Sequence, residues 1–157
     1  MKNTEMKILF LMLVFFMLDQ LLKLLAILFI DNKVIIEGFF KLVYVENTGA
    51  AWGILAGNPS FLIITSIIII LLFYFLFIKD KKITTKETFI YGILYGGIIG
   101  NLFDRIFRGH VVDFLSFKIF GYNFPVFNFA DMCIVLSAIA LVIITFRGKK
   151  NEKKNSL

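Results

Sequence analysis

The stretch from residue 89 to residue 107, Phe89-Ile90-Tyr91-Gly92-Ile93-Leu94-Tyr95-Gly96-Gly97-Ile98-Ile99-Gly100-Asn101-Leu102-Phe103-Asp104-Arg105-Ile106-Phe107, decides the fold. It has the length of a membrane-spanning helix. Gly92, Gly96 and Gly100 recur every fourth residue and so form a bare stripe that lets a neighbouring helix approach closely. Asn101, Asp104 and Arg105, three and four residues apart, project from one face near the end of the same segment.

Three further apolar stretches flank it, approximately Ile8 to Ile30, Phe61 to Ile78 and Pro125 to Phe146. The 157 residues are 59% hydrophobic, and the mean hydropathy is +0.88. That usage lies outside the soluble range, and the bilayer must be the solvent. The first stretch follows Lys2 and Lys7 as a signal peptide would, but no small-x-small cleavage site follows it, so it reads as a retained span. The expected architecture is an α-helical polytopic membrane protein with four transmembrane helices, a single domain over 1–148 with outer loops at about 31–60 and 108–124. The polar basic tail, 149–157, is expected to be disordered.

Charge sets the expected orientation. Lys2 and Lys7, then Lys79, Lys81, Lys82 and Lys86, then Arg147, Lys149, Lys150, Lys153 and Lys154 fall in segments that four spans place on one side. The positive-inside rule makes that side, and both termini, cytoplasmic. The net charge of +6 is therefore topological, and no basic face with interleaved aromatics suggests nucleic acid. The outer segment Val34 to Val45, interrupted by Gly38, suits short strands in an extracytoplasmic β-sheet. Asn58-Pro59 marks the start of span two, an uncharged brace whose Thr65 and Ser66 can bond within the helix. Span four is expected to restart at Pro125. The single Cys133 excludes an intramolecular disulfide, and with one histidine, His110, a histidine zinc site lacks its partners.

Ionisable groups in spans are costly and face a protein interior or a wet cavity. Asp19 and Lys23 stand i to i+4 in the favourable order for an ion pair. Asp113 follows span three, at a loop junction where it would be the more mobile acid. Asn128 and Asp131 lie one turn apart in span four, Asp131 about 9 Å below a start at Pro125. Four carboxylates, Asp19, Asp104, Asp113 and Asp131, outnumber the bases Lys23 and Arg105, and none lies in the inner halves of the spans. A proton-coupled transporter is the alternative and would distribute such groups through the full thickness; a non-catalytic scaffold would use the charges only to hold helices. Two carboxylates in a partly dry site share a proton and supply an acid and a base.

These residues resemble those of the bacterial lipoprotein signal peptidases, the type II signal peptidases. The resemblance rests on Asp19-Gln20-x-x-Lys23, Asn47-Thr48-Gly49-Ala50-Ala51-Trp52, Gly96-Gly97-x-x-Gly100-Asn101-x-x-Asp104-Arg105, Gly109-x-Val111-Val112-Asp113-Phe114 and Phe127-Asn128-x-Ala130-Asp131, in family order. It implies an aspartic endopeptidase of the bacterial cell membrane, active as a monomer and without metal or cofactor. The implied substrates are diacylglyceryl-modified prolipoproteins, met among membrane lipids at an extracytoplasmic site. Asp113 and Asp131 would be catalytic. Asn101, Asp104, Arg105 and Asn128 would orient the pair and bond substrate, and Asp19, Lys23, Asn47 and Gly49 would shape the site. The family's outer sheet would cover the strands expected between Val34 and Trp52.

Overall fold

The computed structural model describes residues 2–50 and 54–155; for Lys2 and 147–155 only the backbone is described. The elements in chain order are α1 (Lys2–Phe29), β1 (Lys33–Ile36), β2 (Phe40–Asn47), α2 (Pro59–Phe73), α3 (Thr85–Phe107), β3 (Val111–Ile119), β4 (Tyr122–Asn123) and α4 (Phe129–Asn155). α2 runs on through a π-helical turn, Tyr74–Ile78. Among the described residues three helical segments are long and apolar enough to cross a membrane: Asn3–Phe29, Pro59–Ile78 and Phe129–Phe146.

α3 is the centre of the bundle, with eleven buried residues along its length. Its glycines explain how its neighbours come so near. A Cβ on Gly92 would stand 2.4 Å from the Leu11 Cβ, one on Gly96 2.6 Å from the Phe15 Cβ, and one on Gly100 2.4 Å from Asp19 Oδ2. The stripe is therefore the seat of α1. Gly97, on the adjoining face, seats α4, since a Cβ there would meet the Ala130 carbonyl at 2.6 Å. α3 starts with a reciprocal cap: Thr84 Oγ1 accepts from the Glu87 amide, and Glu87 Oε2 accepts from the Thr84 amide.

α2 is the brace the sequence indicated. Leu62 is its one buried residue, and Thr65 and Ser66 return hydrogen bonds to Phe61 and Leu62 carbonyls. Pro59 opens the helix as expected, but Asn58 makes no side-chain cap. Toward the end of the bundle away from the sheet Ile8, Ile78, Tyr91, Leu94, Tyr95 and Ile98 form one buried apolar cluster joining α1, the π-helical turn and α3.

The outer sheet is larger than the sequence suggested. Four antiparallel strands stand in the order β1-β2-β3-β4, so the second outer connection adds a hairpin to the first. β2 and β3 pair from Phe40↔Phe117 to Asn47↔Val111. The Val34 to Trp52 expectation holds for β1 and β2, whereas Ala51 to Gly53 lie outside the described residues. Apolar burial of Val112 and Phe114 against Ala26, Leu22 and Phe129 fixes β3 to the outer ends of α1 and α4.

One expected boundary moves. Residues 124–127 do not open a helix: the Phe124 and Phe127 amides donate to the Phe117 and Leu115 carbonyls, so this segment lies extended along β3. Proline suits that conformation as well as a helix start, and α4 begins only at Phe129. At its other end α4 runs to Asn155.

Candidate active site

The C-terminal ends of α1 and α3, the N-terminal end of α4 and the β2–β3 ladder converge on one polar network. Asp113 lies inside β3, opposite Val45 of β2, with only 2% of its surface exposed. This corrects the loop-junction placement and removes the reason for thinking Asp113 the more mobile acid. Its Oδ2 accepts from Asn47 Nδ2 at 2.8 Å and its Oδ1 from Asn128 Nδ2 at 2.7 Å. Burial pushes its carboxyl up to about 6, and the nearby Asp131 charge adds to the rise. The Asn47 and Asn128 donors and the Lys23 charge oppose it.

Asp131 sits in the first turn of α4, two residues after Phe129 and so about 3 Å along the helix, not about 9 Å. The Asn128 side-chain oxygen accepts from the Asp131 amide at 2.9 Å, while Asp131 Oδ2 accepts from the Asn128 amide at 3.2 Å. This reciprocal cap both starts the helix and orients the carboxylate. Asp131 Oδ1 accepts from Asn101 Nδ2 at 2.7 Å. Asn128 Nδ2 also donates to Asn101 Oδ1 at 3.1 Å. Two asparagines thus bridge the two carboxylates: Asn101 donates to Asp131, Asn128 donates to Asp113, and the two side chains bond to each other.

Beneath them Lys23 is fully buried, and its three donors have three acceptors: Asp19 Oδ2 and Asp104 Oδ2 at 2.8 Å each, and Asn101 Oδ1 at 2.9 Å. Asp19 extends this support across the bundle, its Oδ1 accepting from the Ala130 amide at 3.0 Å, a first-turn donor that α4 itself cannot satisfy. Asp104 Oδ2 accepts from the Val112 amide at 3.3 Å.

Arg105 bonds to no carboxylate among the described residues. It donates through Nη1 to the Asn101 carbonyl and through Nη2 to the Gly49 carbonyl, and its buried Nε has no partner among the described residues. Gly49 in turn is held by its amide, which donates to Asn47 Oδ1 at 2.9 Å. Asn47, Asn101, Arg105, Asp113 and Asp131 all line one cavity of about 460 Å³. Pro125, Phe127, Met132 and Val135 form part of its apolar wall. The arrangement gives two carboxylates one shared space, a set of donors around it and an apolar flank.

Comparison with known proteins agrees with this geometry. Residues 11–147 match the family model of signal peptidase (SPase) II. The chain belongs to the signal peptidase II family. Lipoprotein signal peptidases of Staphylococcus aureus, among them those of strains JH9 and Newman, are 37% identical over 127 residues, covering 81% of this chain and 78% of theirs. Two solved bacterial membrane enzymes, at 2.3 Å and 1.9 Å resolution, superpose with TM-scores of 0.80 and 0.74, each at 32% identity. The first match covers 96% of this chain and 92% of that one, the second 92% and 93%. This member of the signal peptidase II family is therefore a peptidase with membrane-spanning helices.

The ten residues singled out in the sequence, Asp19, Lys23, Asn47, Gly49, Asn101, Asp104, Arg105, Asp113, Asn128 and Asp131, form one connected set of contacts in this structure. The sequence reading missed Arg108 and the part played by Gln20. Arg108 caps the end of α3 and pairs with Asp104, and it also donates to Gln20 Oε1 at 2.9 Å. The i to i+4 spacing from Asp104 is the same signal that found Asp19 and Lys23. His110 lies 3.8 Å from Glu46 and does not line the cavity.

Proposed function

We propose that this signal peptidase II is an intramembrane aspartic endopeptidase that removes signal peptides from diacylglyceryl-modified prolipoproteins, with Asp113 and Asp131 activating one water. The observation that carries the reading is the placement of both carboxylates on one cavity wall, tied together through Asn101 and Asn128. Burial and the nearby Asp131 charge raise the Asp113 carboxyl to about 6, which supports assigning it the proton that the pair shares.

In the reaction Asp131 accepts a proton as the water oxygen attacks the scissile carbonyl carbon, while Asp113 donates its proton to the carbonyl oxygen. Collapse of the tetrahedral species breaks the C–N bond: the departing nitrogen takes up the proton now on Asp131, and one hydroxyl of the tetrahedral carbon returns a proton to Asp113. The free Arg105 Nε and the Asn47 amide are donors for the extended backbone that cleavage requires, because a helical signal peptide has no amides to spare. The apolar wall at Pro125, Phe127, Met132 and Val135 suits a substrate that arrives from lipid.

In the same reading α3 is the fourth span: its 23 residues extend about 35 Å. The basic segments put both termini in the cytoplasm, which turns the sheet and the cavity to the extracytoplasmic side of the cell membrane. The protein acts as a monomer, without metal or cofactor. Confinement of the polar network to one end, above an apolar cluster of Ile8, Leu94, Ile98 and their neighbours, supports a peptidase over a transporter, whose path would continue through the bundle.

The test is cleavage of a synthetic diacylglyceryl-modified prolipoprotein by the purified protein, with Asp113→Asn and Asp131→Asn as variants. Each is expected to lower turnover by at least about 10²-fold, the lower range for losing positioned acid–base catalysis, and a chelator should change nothing. Near wild-type turnover by either folded variant would remove that residue from the dyad.

A further inference from the structure

Arg108 has a place in the network that its position at the end of a helix conceals. It is 26% exposed, and its Nη1 contacts both Asp104 Oδ1 and Gln20 Oε1. Gln20 Nε2 donates to the same Asp104 oxygen at 3.2 Å, and the guanidinium carbon stands 5.8 Å from the centre of the Phe103 ring. Asp104 Oδ1 is thus held from the outer side by two groups that hold each other. Asp104 Oδ2 is left for Lys23 and for the Val112 amide.

Those two contacts lead to different members of the carboxylate pair. Val112 directly precedes Asp113 in β3, and Lys23 holds Asn101, which holds Asp131. Asp104 is therefore a fork between the two acids. It is also fully buried, as are Asp19 and Lys23. Without Arg108, two buried carboxylates would face a single buried ammonium, an arrangement with one uncompensated charge. The ammonium would then be drawn toward the carboxylates and away from the neutral Asn101 oxygen.

We propose that Arg108 is a positioning residue for both catalytic aspartates. By neutralising Asp104 and fixing its Oδ1, it keeps the other oxygen on the Val112 amide and keeps Lys23 on Asn101. It does not line the cavity, so it acts through Asp104 and not on the substrate. The inference rests on Asp113 and Asp131 being the dyad.

The experiment compares Arg108→Gln and Arg108→Lys in the full chain, reconstituted in lipid nanodiscs and supplied with a synthetic diacylglyceryl-modified prolipoprotein. Arg108→Gln should lower kcat by about tenfold or more, since displacement of reacting groups by a fraction of an ångström is that costly. KM should stay within about twofold, the pattern of a group that makes no ground-state contact with substrate. Arg108→Lys should recover most of kcat. Amide hydrogen exchange should quicken at Val112 in Arg108→Gln while Lys118, at the far end of β3, keeps wild-type protection.

A wild-type kcat in Arg108→Gln overturns the proposal, as does a rise in KM alone or a loss of protection spread evenly along β3. Should Arg108→Gln fail to fold, Gln20→Leu decides, because it frees Asp104 Oδ1 from one holder without changing any charge. Faster Val112 exchange with a lowered kcat then supports the proposal, and wild-type values for both overturn it. Failure of the dyad itself would show separately, as turnover retained in Asp113→Asn or Asp131→Asn with the Val112 response to Arg108→Gln intact.

Discussion

The two ends of α3 are held by different physics. At the inner end Tyr91, Leu94, Tyr95 and Ile98 pack with Ile8 and Ile78, and the contacts are apolar and individually small. At the outer end Asn101 and Asp104 are buried among Asp19, Lys23 and Asn128, and nearly every polar atom has a named partner. Packing tolerates a lost methyl group because its neighbours relax. A buried charge network does not, because removing one member leaves another unpaired in a medium that cannot solvate it. On the proposed mechanism, the outer end is the part of the molecule where stability and activity depend on the same atoms.

The largest effect expected from breaking this contrast is at Lys23. Lys23→Met keeps the bulk and removes the charge between Asp19 and Asp104, and should destabilise the fold by about 3–5 kcal/mol, the usual cost of orphaning a buried partner. Thermal unfolding in detergent would measure it. Next comes Gly100→Ala, whose Cβ would press on Asp19 Oδ2. A loss of about 1–3 kcal/mol is expected from overpacking, together with reduced peptide cleavage, because the atom displaced belongs to the network. At the inner end Ile98→Val should cost about 0.5–1.5 kcal/mol and leave cleavage unchanged, which a parallel assay of both variants would show.

The smallest effect concerns acidity. With Asp113 the proton holder, activity on the free enzyme should fall as pH rises through about 6, where that carboxyl ionises. The Asn47 amide favours the ionised form, so Asn47→Ala should move this alkaline limb to higher pH. A profile of kcat/KM against pH for both proteins checks the direction of the shift.

Much of the outer end was legible in the sequence because helical spacing is rigid. Gly92, Gly96 and Gly100 had to share a face, and so did Asp19 and Lys23. The helix could not say that Asn101 would turn to Asp131 and Lys23 while Arg105 reached Gly49, since those partners come from other elements. Arg108 fell at the start of the 108–124 loop, although α3 carries it one residue past Phe107 as the cap. The β3–β4 hairpin was hidden for another reason. Its run Val111 to Phe114 is buried for four residues in succession, Val112 and Phe114 against α1 and Phe129, and Val111 and Asp113 at the cavity, so it lacks the alternation that marks a half-exposed strand. Pro125 misplaced the start of α4, and the true signal was Asn128 three residues before Asp131, a cap read there only as a polar pair.

The most direct test of the central claim is a mutant cycle on the pair itself, with single-turnover cleavage of a diacylglyceryl-modified prolipoprotein measured for Asp113→Asn, Asp131→Asn and the double variant. If the two carboxylates work as one acid–base unit, the double variant should be no slower than the slower single variant, as expected for groups that fail together. Losses that multiply would show two independent contributions and contradict the dyad.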